Sequence, residues 1–341
     1  MMNENINLNA LKQGSATLEN SKWKQMIARK KTLYTANTEI RSEFERDYTR
    51  IIYSNAFKRM KHKTQVFFSP TSDHICTRME HVSHVDSISY TISNTLGLNT
   101  ELTKAISIGH DLGHAPFGHQ GERILSEISK KYIGDSFWHE KNGVNIVDNI
   151  ELLEDCNSNF ENMNLTYAVR DGIISHCGEI DENCIKPRNG YIDLNNYTYP
   201  NQYSPYTWEG CVVKISDKIS YIIRDIEDAI YLHIIDNHLD ELYDLLKYDR
   251  AQKINNSNII NTLIYDICSN SSPENGLRFS DENLKLLNDI KKFNYEHIYF
   301  NKHLQYPFDY FRLVINQIFN VLAECYDNEN TLEKLNSINP K

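Results

Sequence analysis

The sequence lacks a long apolar run, a secretory leader and any Cys-x-x-Cys pair. No segment approaches the roughly 20 apolar residues that a membrane-spanning helix needs. The polar, Asn-rich stretch from Met1 to Gly14 has no apolar core of the kind that marks a signal peptide. The seven cysteines are an odd number without close pairs, which disfavours a structural zinc site and fits reduced thiols. These absences predict a cytoplasmic protein with no membrane partner.

The charge balance argues against a general attraction to nucleic acid. The chain has 36 basic and 46 acidic residues, which gives a formal net charge of -10, so no broad positive field surrounds it. Binding of single-stranded nucleic acid by a local patch stays open but is not favoured. An anionic substrate would therefore need a local basic pocket or a metal ion.

Helical spacing of apolar residues dominates the pattern, and neither an internal repeat nor an alternation of strands and helices is present. We therefore predict an all-α fold. Gly97 is expected to cap the end of one helix, and Thr100 the start of the next. The predicted helices span 79–96, 100–112, a segment that starts near Gly121, 212–230, 282–294 and 308–325.

The chain divides into three predicted regions. Residues 1–40 form an N-terminal arm, of which about the first twenty are expected to be loose. Residues 41–240 form the core, in which 180–208 is a long loop or small insertion because it lacks periodicity. Residues 241–341 form a helical region that packs on the core. Beyond about residue 235 no motif is recognisable.

Three segments carry His and Asp residues of the kinds that bind divalent metal ions. They are His81, the adjacent pair His110 and Asp111, and Asp217, each within a predicted helix. Two imidazoles and two carboxylates suit one divalent ion, and the pattern leaves Mn, Mg, Fe, Zn and Co open. Such an ion supports Lewis-acid chemistry with an activated water. The alternative is that each histidine is a hydrogen-bonded core or surface residue, and for His81 alone this alternative is preferred.

The segment that begins at His110 reads His-Asp-Leu-Gly-His-Ala-Pro-Phe-Gly-His-Gln-Gly-Glu and ends at Glu122. With its upstream and downstream partners, it resembles the HD-domain phosphohydrolases and, more narrowly, the deoxynucleoside triphosphate triphosphohydrolases, the dGTPase family. The resemblance covers roughly residues 40–230. It implies an all-α, HD-domain helical fold with an N-terminal helical arm and a C-terminal helical extension. The matching segments include 63–66, 78–81, 110–122, 137–140 and 217–225.

The resemblance also implies a reaction. Water would attack the α-phosphorus of a dNTP, for which dGTP is one candidate, and give a deoxynucleoside and inorganic triphosphate. One divalent ion is the implied cofactor, and a homo-oligomer and a nucleotide effector are implied partners. The residues that the resemblance places at the reacting centre are His114, His119, Glu122 and His139. Those that it places against the substrate are Gln65, Arg78, Lys218, Tyr221 and Asp225.

Spacing supports part of this assignment. His119 and Glu122 lie three residues apart and can form an imidazole–carboxylate pair on a helix. Tyr221 and Asp225 continue the helical stripe that starts at the ligand Asp217. The alternative is a core tyrosine with a surface aspartate. His176 also fits the family pattern, but there we favour a structural role.

Two other functions remain open at this stage. The first is an HD-type phosphatase or phosphodiesterase that acts on another nucleotide, which would share the ion site but would not need Gln65, Tyr221 and Asp225. The second is a nucleotide-sensing protein without chemistry. The complete set of predicted metal ligands argues against the second.

Overall fold

Helices form nearly all of the regular structure. In the computed structural model of the protein, the described residues are 6–35, 37–68, 72–155, 158–177, 183–305, 307–327 and 333. Residues 1–5 of the predicted arm, 180–182 of the predicted loop, and 328–332 and 334–341 of the predicted C-terminal region lie outside them. The helices are α1 (Trp23–Met26), α2 (Glu43–Tyr53), α3 (Asn55–Arg59), α4 (Arg78–Leu96), α5 (Thr100–Gly109), α6 (Gly118–Ile133), α7 (His139–Asn145), α8 (Tyr167–Ser175), α9 (Trp208–Tyr231), α10 (Leu239–Leu246), α11 (Asn256–Asn270), α12 (Asp281–Asn294), α13 (Lys302–Gln305) and α14 (Phe308–Asp327).

Short elements complete the fold. The strands β1 (Leu152–Glu154) and β2 (Phe160–Asn162) form an antiparallel hairpin, which periodicity did not predict. Two π-helical turns span Ile146–Ile150 and Tyr295–Tyr299. The all-α prediction is confirmed, because the hairpin is small. Among the described residues, none of the helices combines the length and the apolarity that a membrane crossing requires.

Helices α4, α5 and α9 pack against one another at the centre, and α2 and α8 cover α5. Helix α4 starts with a capping box, in which the Thr77 side chain accepts from the Glu80 amide and the Glu80 carboxylate accepts from the Thr77 amide. It ends at Gly97, whose φ of 78° is the left-handed conformation that glycine adopts without strain. Both ends of this helix agree with the prediction to within one residue.

The following helix starts at the predicted residue, but its N-cap and its C-terminal end differ from the prediction. Asn99, not Thr100, is the N-cap, and its side chain accepts from the amides of Glu101 and Leu102. The helix ends at Gly109 rather than Leu112. Helix α6 starts three residues earlier than predicted, at Gly118. Phe117, in the left-handed conformation with a φ of 61°, is the residue that precedes this helix.

The predicted loop at 180–208 stays a prediction; its described residues contain a single short 3-10 turn at Leu194–Asn196 before α9 starts at Trp208. Arg188 fixes the loop to the core. Its guanidinium forms an ion pair with the buried carboxylate of Asp171 and donates to the hydroxyl of Tyr167. The loop therefore has a defined path even though it lacks regular structure.

Two apolar cores flank the central helices. One lies between α4, α9, α11 and α12, and the other lies between α2, α5 and α8. The C-terminal helices α11 and α12 bury apolar residues against α9. The boundaries of the three predicted regions stay predictions.

The start of the chain is not loose within its described residues. Leu11 and Ala16 are almost completely buried, and the Leu11 amide donates to the carbonyl of Leu96 at 3.0 Å. The buried carboxylate of Glu209 explains the docking. Its Oε1 accepts from the amides of Ala16 and Asn99, each at 2.9 Å. Sequence analysis missed this because the partners lie almost 200 residues apart.

We expect Glu209→Ala to lower the free energy of unfolding by about 3 kcal/mol, because two buried amides lose a charged acceptor. Urea denaturation followed by circular dichroism measures the change. The matched control is Glu19→Ala, since Glu19 is exposed and should change stability by less than about 0.5 kcal/mol. Equal stabilities of the two variants would contradict the role given to Glu209.

Candidate active site

Three of the four predicted metal ligands meet where the central helices cross. His81 lies on α4, His110 directly follows α5, and Asp217 lies on α9. His81 Nε2 lies 3.0 Å and His110 Nε2 lies 3.8 Å from Asp217 Oδ1. One ligand atom from each residue falls within 4.8 Å of the others. The three side chains can therefore surround a single ion.

The state of His110 fits a metal ligand. Its Nδ1 donates to the carbonyl of Ser107 at 2.6 Å, which leaves the lone pair on Nε2. That Nε2 is buried and has no hydrogen-bond partner among the described residues. Burial also lowers the pKa of His110, so the ring stays neutral. A buried acceptor without a donor costs free energy, and a divalent cation would supply the missing partner.

Asp217 supplies the negative charge of this group. Burial opposes its charged form, but the hydrogen bond from His81 and the nearby His110 lower its pKa to about 2. The donor set of two imidazole nitrogens and a carboxylate oxygen suits a divalent ion of intermediate softness. The residues present therefore fit the metal ion that the sequence pattern implies.

The fourth predicted ligand, Asp111, faces a different group. Its Oδ2 lies 3.0 Å from Arg78 Nη1, and its carboxylate clusters with His114 and His139. Burial alone would raise the pKa of Asp111, yet the Arg78 guanidinium holds it well below its usual value. Asp111 as a metal ligand stays a prediction. In this structure it connects the candidate ion site to a second cluster.

The second cluster contains the four residues predicted at the reacting centre. The rings of His114 and His139 lie 4.7 Å apart, and those of His114 and His119 lie 5.6 Å apart. Glu122 Oε2 lies 3.1 Å from His139 Nδ1 and 3.5 Å from His119 Nδ1. One carboxylate thus holds two imidazoles.

The two imidazoles held by Glu122 differ in exposure. The His119 side chain is 72% exposed, whereas that of His139 is 14% exposed. Burial disfavours a charged His139, but Glu140 and Glu122 together raise its pKa to about 10. His139 is therefore a cation at neutral pH, next to a neutral His114 whose pKa burial and Arg78 hold well below its usual value.

The loop after His110 reaches the second cluster because Gly113 has no side chain. A Cβ at Gly113 would lie 2.1 Å from the carbonyl oxygen of His139 and 2.2 Å from the amide of Gly143. The loop can therefore touch the start of α7 only with glycine at this position. This contact sets His114 beside His139.

The residues predicted to contact a substrate lie on two sides of the site. Arg78 Nη2 donates to the carbonyl of Gln65 at 3.2 Å, and the side-chain oxygen of Gln65 is buried without a hydrogen-bond partner among the described residues. Lys63 donates to the carbonyl of His114 at 2.8 Å. This side of the site is basic and adjoins Asp111.

The other side follows α9. Lys218 is buried, Tyr221 is half-buried, and Asp225 is almost completely buried. Asp225 Oδ2 accepts from the hydroxyl of Tyr299 at 2.6 Å, while its Oδ1 is buried without a partner among the described residues. Burial raises the pKa of Asp225 to about 7. Tyr299 comes from the C-terminal region, where the sequence showed no motif.

Comparison with known proteins identifies the family. The family model described as the HD domain matches residues 78–222. A deoxyguanosinetriphosphate triphosphohydrolase-like protein of Caldanaerobacter subterraneus subsp. tengcongensis is 34% identical over 298 residues, 87% of this chain and 76% of the relative. The chain belongs to the deoxyguanosinetriphosphate triphosphohydrolase-like family. A relative with the same description from Desulfatibacillum aliphaticivorans is 33% identical over 84% of this chain and 75% of its own length. One from Rickettsia prowazekii is 40% identical over 62% and 53%.

Two residues of this family member were underrated or missed in the sequence. His176, for which a structural role was favoured, lies with its ring 4.9 Å from His110 and 5.3 Å from His139. Its Nδ1 donates to the carbonyl of Ile173 at 2.6 Å, so it repeats the orientation of His110. Glu140 is buried, 3.5 Å from His139. The position of both His110 and His176 directly after a helix is the signal that could have linked them.

We expect His110→Ala to remove one divalent ion per chain and to weaken binding at this site by at least about 100-fold, because even a residue that only supports a ligand contributes 10- to 100-fold. Equilibrium dialysis against Mn²⁺ or Co²⁺ followed by elemental analysis measures the loss. His84→Ala is the matched control, since His84 lies one helical turn after His81 and is exposed. Unchanged ion content in His110→Ala would refute the site.

Proposed function

We propose that the protein hydrolyses deoxynucleoside triphosphates at the α-phosphorus and releases a deoxynucleoside and inorganic triphosphate. The observation that supports this best is the position of Asp111, which directly follows the candidate ligand His110 and clusters with His114 and His139. The relatives' names make dGTP the first substrate to test. We further propose a homo-oligomer, a nucleotide effector and a cytoplasmic location, in line with the family resemblance.

The candidate ion site would be formed by His81, His110 and Asp217, with Asp111 as a further ligand. A divalent ion held there would polarise a phosphate oxygen and lower the pKa of a water molecule. Around it, Arg78 and the cationic His139 would offset the negative charge of the phosphates, and neutral His114 lies between them. The ion together with these two cations would allow an acidic protein to bind a polyanion.

Departure of the sugar 5′-oxygen requires a proton, because an alkoxide is a poor leaving group. We assign the donor to His119. Its Nδ1 faces Glu122, so its Nε2 points away from that carboxylate, and its side chain is the exposed member of the cluster. Glu122 fixes the orientation of the His119 ring. His139, enclosed by Glu122 and Glu140, is better placed to stabilise negative charge than to give up its proton.

The sugar would lie along α9. The unpartnered Oδ1 of Asp225 and the unpartnered side-chain oxygen of Gln65 are acceptors for sugar hydroxyl groups. Tyr221 lies one helical turn after Asp217 and would pack on the face of the sugar, where a 2′-hydroxyl would collide with it. Lys218 would lie near the phosphates. These contacts distinguish the proposal from a phosphatase that acts on any nucleotide.

The position of attack can be read from the products. We expect triphosphate and deoxynucleoside in equal amounts, and, in ¹⁸O-labelled water, one label per turnover in the triphosphate, because the attacked phosphorus stays in that product. Phosphorus NMR and mass spectrometry measure both. Deoxynucleoside monophosphate with pyrophosphate, or label in the nucleoside, would overturn the proposal. His110→Ala is the control for contaminating phosphatases.

We expect Glu122→Gln to lower kcat for a dNTP by at least about 100-fold, the range for loss of general acid catalysis, with its ion content unchanged. The matched control is Glu127→Gln on the same helix, because Glu127 is exposed and pairs with Arg312. This variant should retain activity.

A second substrate distinguishes the loss of proton donation from a general loss of activity in the variant. A 4-nitrophenyl phosphodiester has a leaving group that needs no proton, so Glu122→Gln should lose much less activity on it than on a dNTP. Equal losses on the two substrates would remove Glu122 and His119 from the proton-donating role.

A further inference from the structure

A second group of potential metal ligands lies in the C-terminal region. His238 directly precedes α10, Glu241 lies in the first turn of that helix, and His297 lies in the π-helical turn Tyr295–Tyr299. One ligand atom from each lies within 4.8 Å of the others. Glu241 Oε2 is 3.2 Å from His297 Nε2 and 3.7 Å from His238 Nδ1. None of these residues belongs to the site described above.

The contact between His297 and Glu241 is short but does not form a hydrogen bond. His297 Nε2 is a buried atom without a hydrogen-bond partner among the described residues, although a carboxylate oxygen lies 3.2 Å away. A cation between these two atoms would give both a partner. Ligands of a tetrahedral ion with bonds near 2.1 Å are separated by roughly 3.4 Å, which is close to the spacing of these two atoms.

The carboxylate of Glu241 is also available. The neighbouring Asp240 and Asp244 are both bound by Arg250, at 2.9 and 2.8 Å. The ion pairs of Glu241 within the described residues are with the two imidazoles alone. Arg250 thus neutralises the carboxylates of Asp240 and Asp244, whereas the Glu241 carboxylate faces the two imidazoles.

Local structure brings both rings together. His238 is the residue that precedes the first turn of α10 and ends a 3-10 turn. The rings of His238 and His297 are stacked, with centroids 3.8 Å apart. The Phe293 ring packs on the His297 ring, with centroids 4.7 Å apart. π-helical turns are rare and are often found at functional sites. The two imidazoles are in contact, and a rotation of the partly exposed His238 ring would turn both nitrogen atoms toward one ion.

We propose that His238, Glu241 and His297 bind a second divalent cation, separate from the ion of the active site. Two imidazoles and one carboxylate favour a transition metal of the Zn²⁺ and Co²⁺ class over Mg²⁺ or Ca²⁺. His238 and Glu241 are 42% and 54% exposed, so solvent reaches the site and water completes the coordination. This arrangement of three protein ligands and an open position is known for zinc.

The experiment counts Co²⁺ ions on the full-length protein after equilibrium dialysis and gel filtration, with the visible absorption spectrum recorded in parallel. We expect Glu241→Gln to lose one ion per chain relative to the wild type, together with the absorption of a four-coordinate Co²⁺. His297→Asn should give the same result. Because Glu241 is exposed, its substitution should leave the fold intact, which circular dichroism checks.

Controls separate this site from the active site. Glu282→Gln changes an exposed carboxylate on α12 that pairs with Lys247, and it should keep every ion. His110→Ala should keep the ion at the second site, and His110→Ala with Glu241→Gln should bind none. If Glu241→Gln and His297→Asn bind as many ions as the wild type, the three residues form only an imidazole–carboxylate cluster and the proposal is refuted. This result would not depend on whether the active site binds an ion.

Discussion

A buried ion pair between Arg78 and Asp111 holds the parts of the active site together. The two charges lie 3.0 Å apart and are almost inaccessible to solvent. Removing either one would leave the other uncompensated in the interior, at a cost of about 3–5 kcal/mol. Asp111 directly follows a candidate ligand and also faces the rings of His114 and His139. The ion pair therefore fixes the distance between the place where an ion would act and the place where protons would move.

Helix ends set the state of the histidines. The last carbonyl groups of a helix have no partner within it, and in α5 and α8 one such carbonyl accepts the Nδ1 proton of the histidine that follows. His110 and His176 are therefore neutral rings with the lone pair on Nε2. Burial alone would not choose between the two nitrogens. The carbonyl groups at the helix ends thus leave Nε2 of each histidine able to bind a metal ion or to accept a hydrogen bond.

The sequence predicted the features that local patterns control. The spacing of apolar residues located α4 and α9, which carry His81 and Asp217, and the His-Asp pair after α5 pointed to His110. It could not show that the Asp111 carboxylate pairs with Arg78 and clusters with His114 and His139, since that depends on where Arg78 packs. Glu140 and Tyr299 were missed for a similar reason. Their roles arise from contacts between segments far apart in the chain, and the docking of the N-terminal segment on α9 has the same origin.

The π-helical turn Tyr295–Tyr299 carries two residues that contact different helices. Its extra residue lets His297 face α10 while Tyr299, two residues later, reaches Asp225 on α9. The C-terminal helices thus reach Asp225, whereas none of their described residues belongs to the cluster of His81, His110 and Asp217. Under the proposed function, substitutions in these helices would alter the surroundings of Asp225 and leave the three candidate ligands in place.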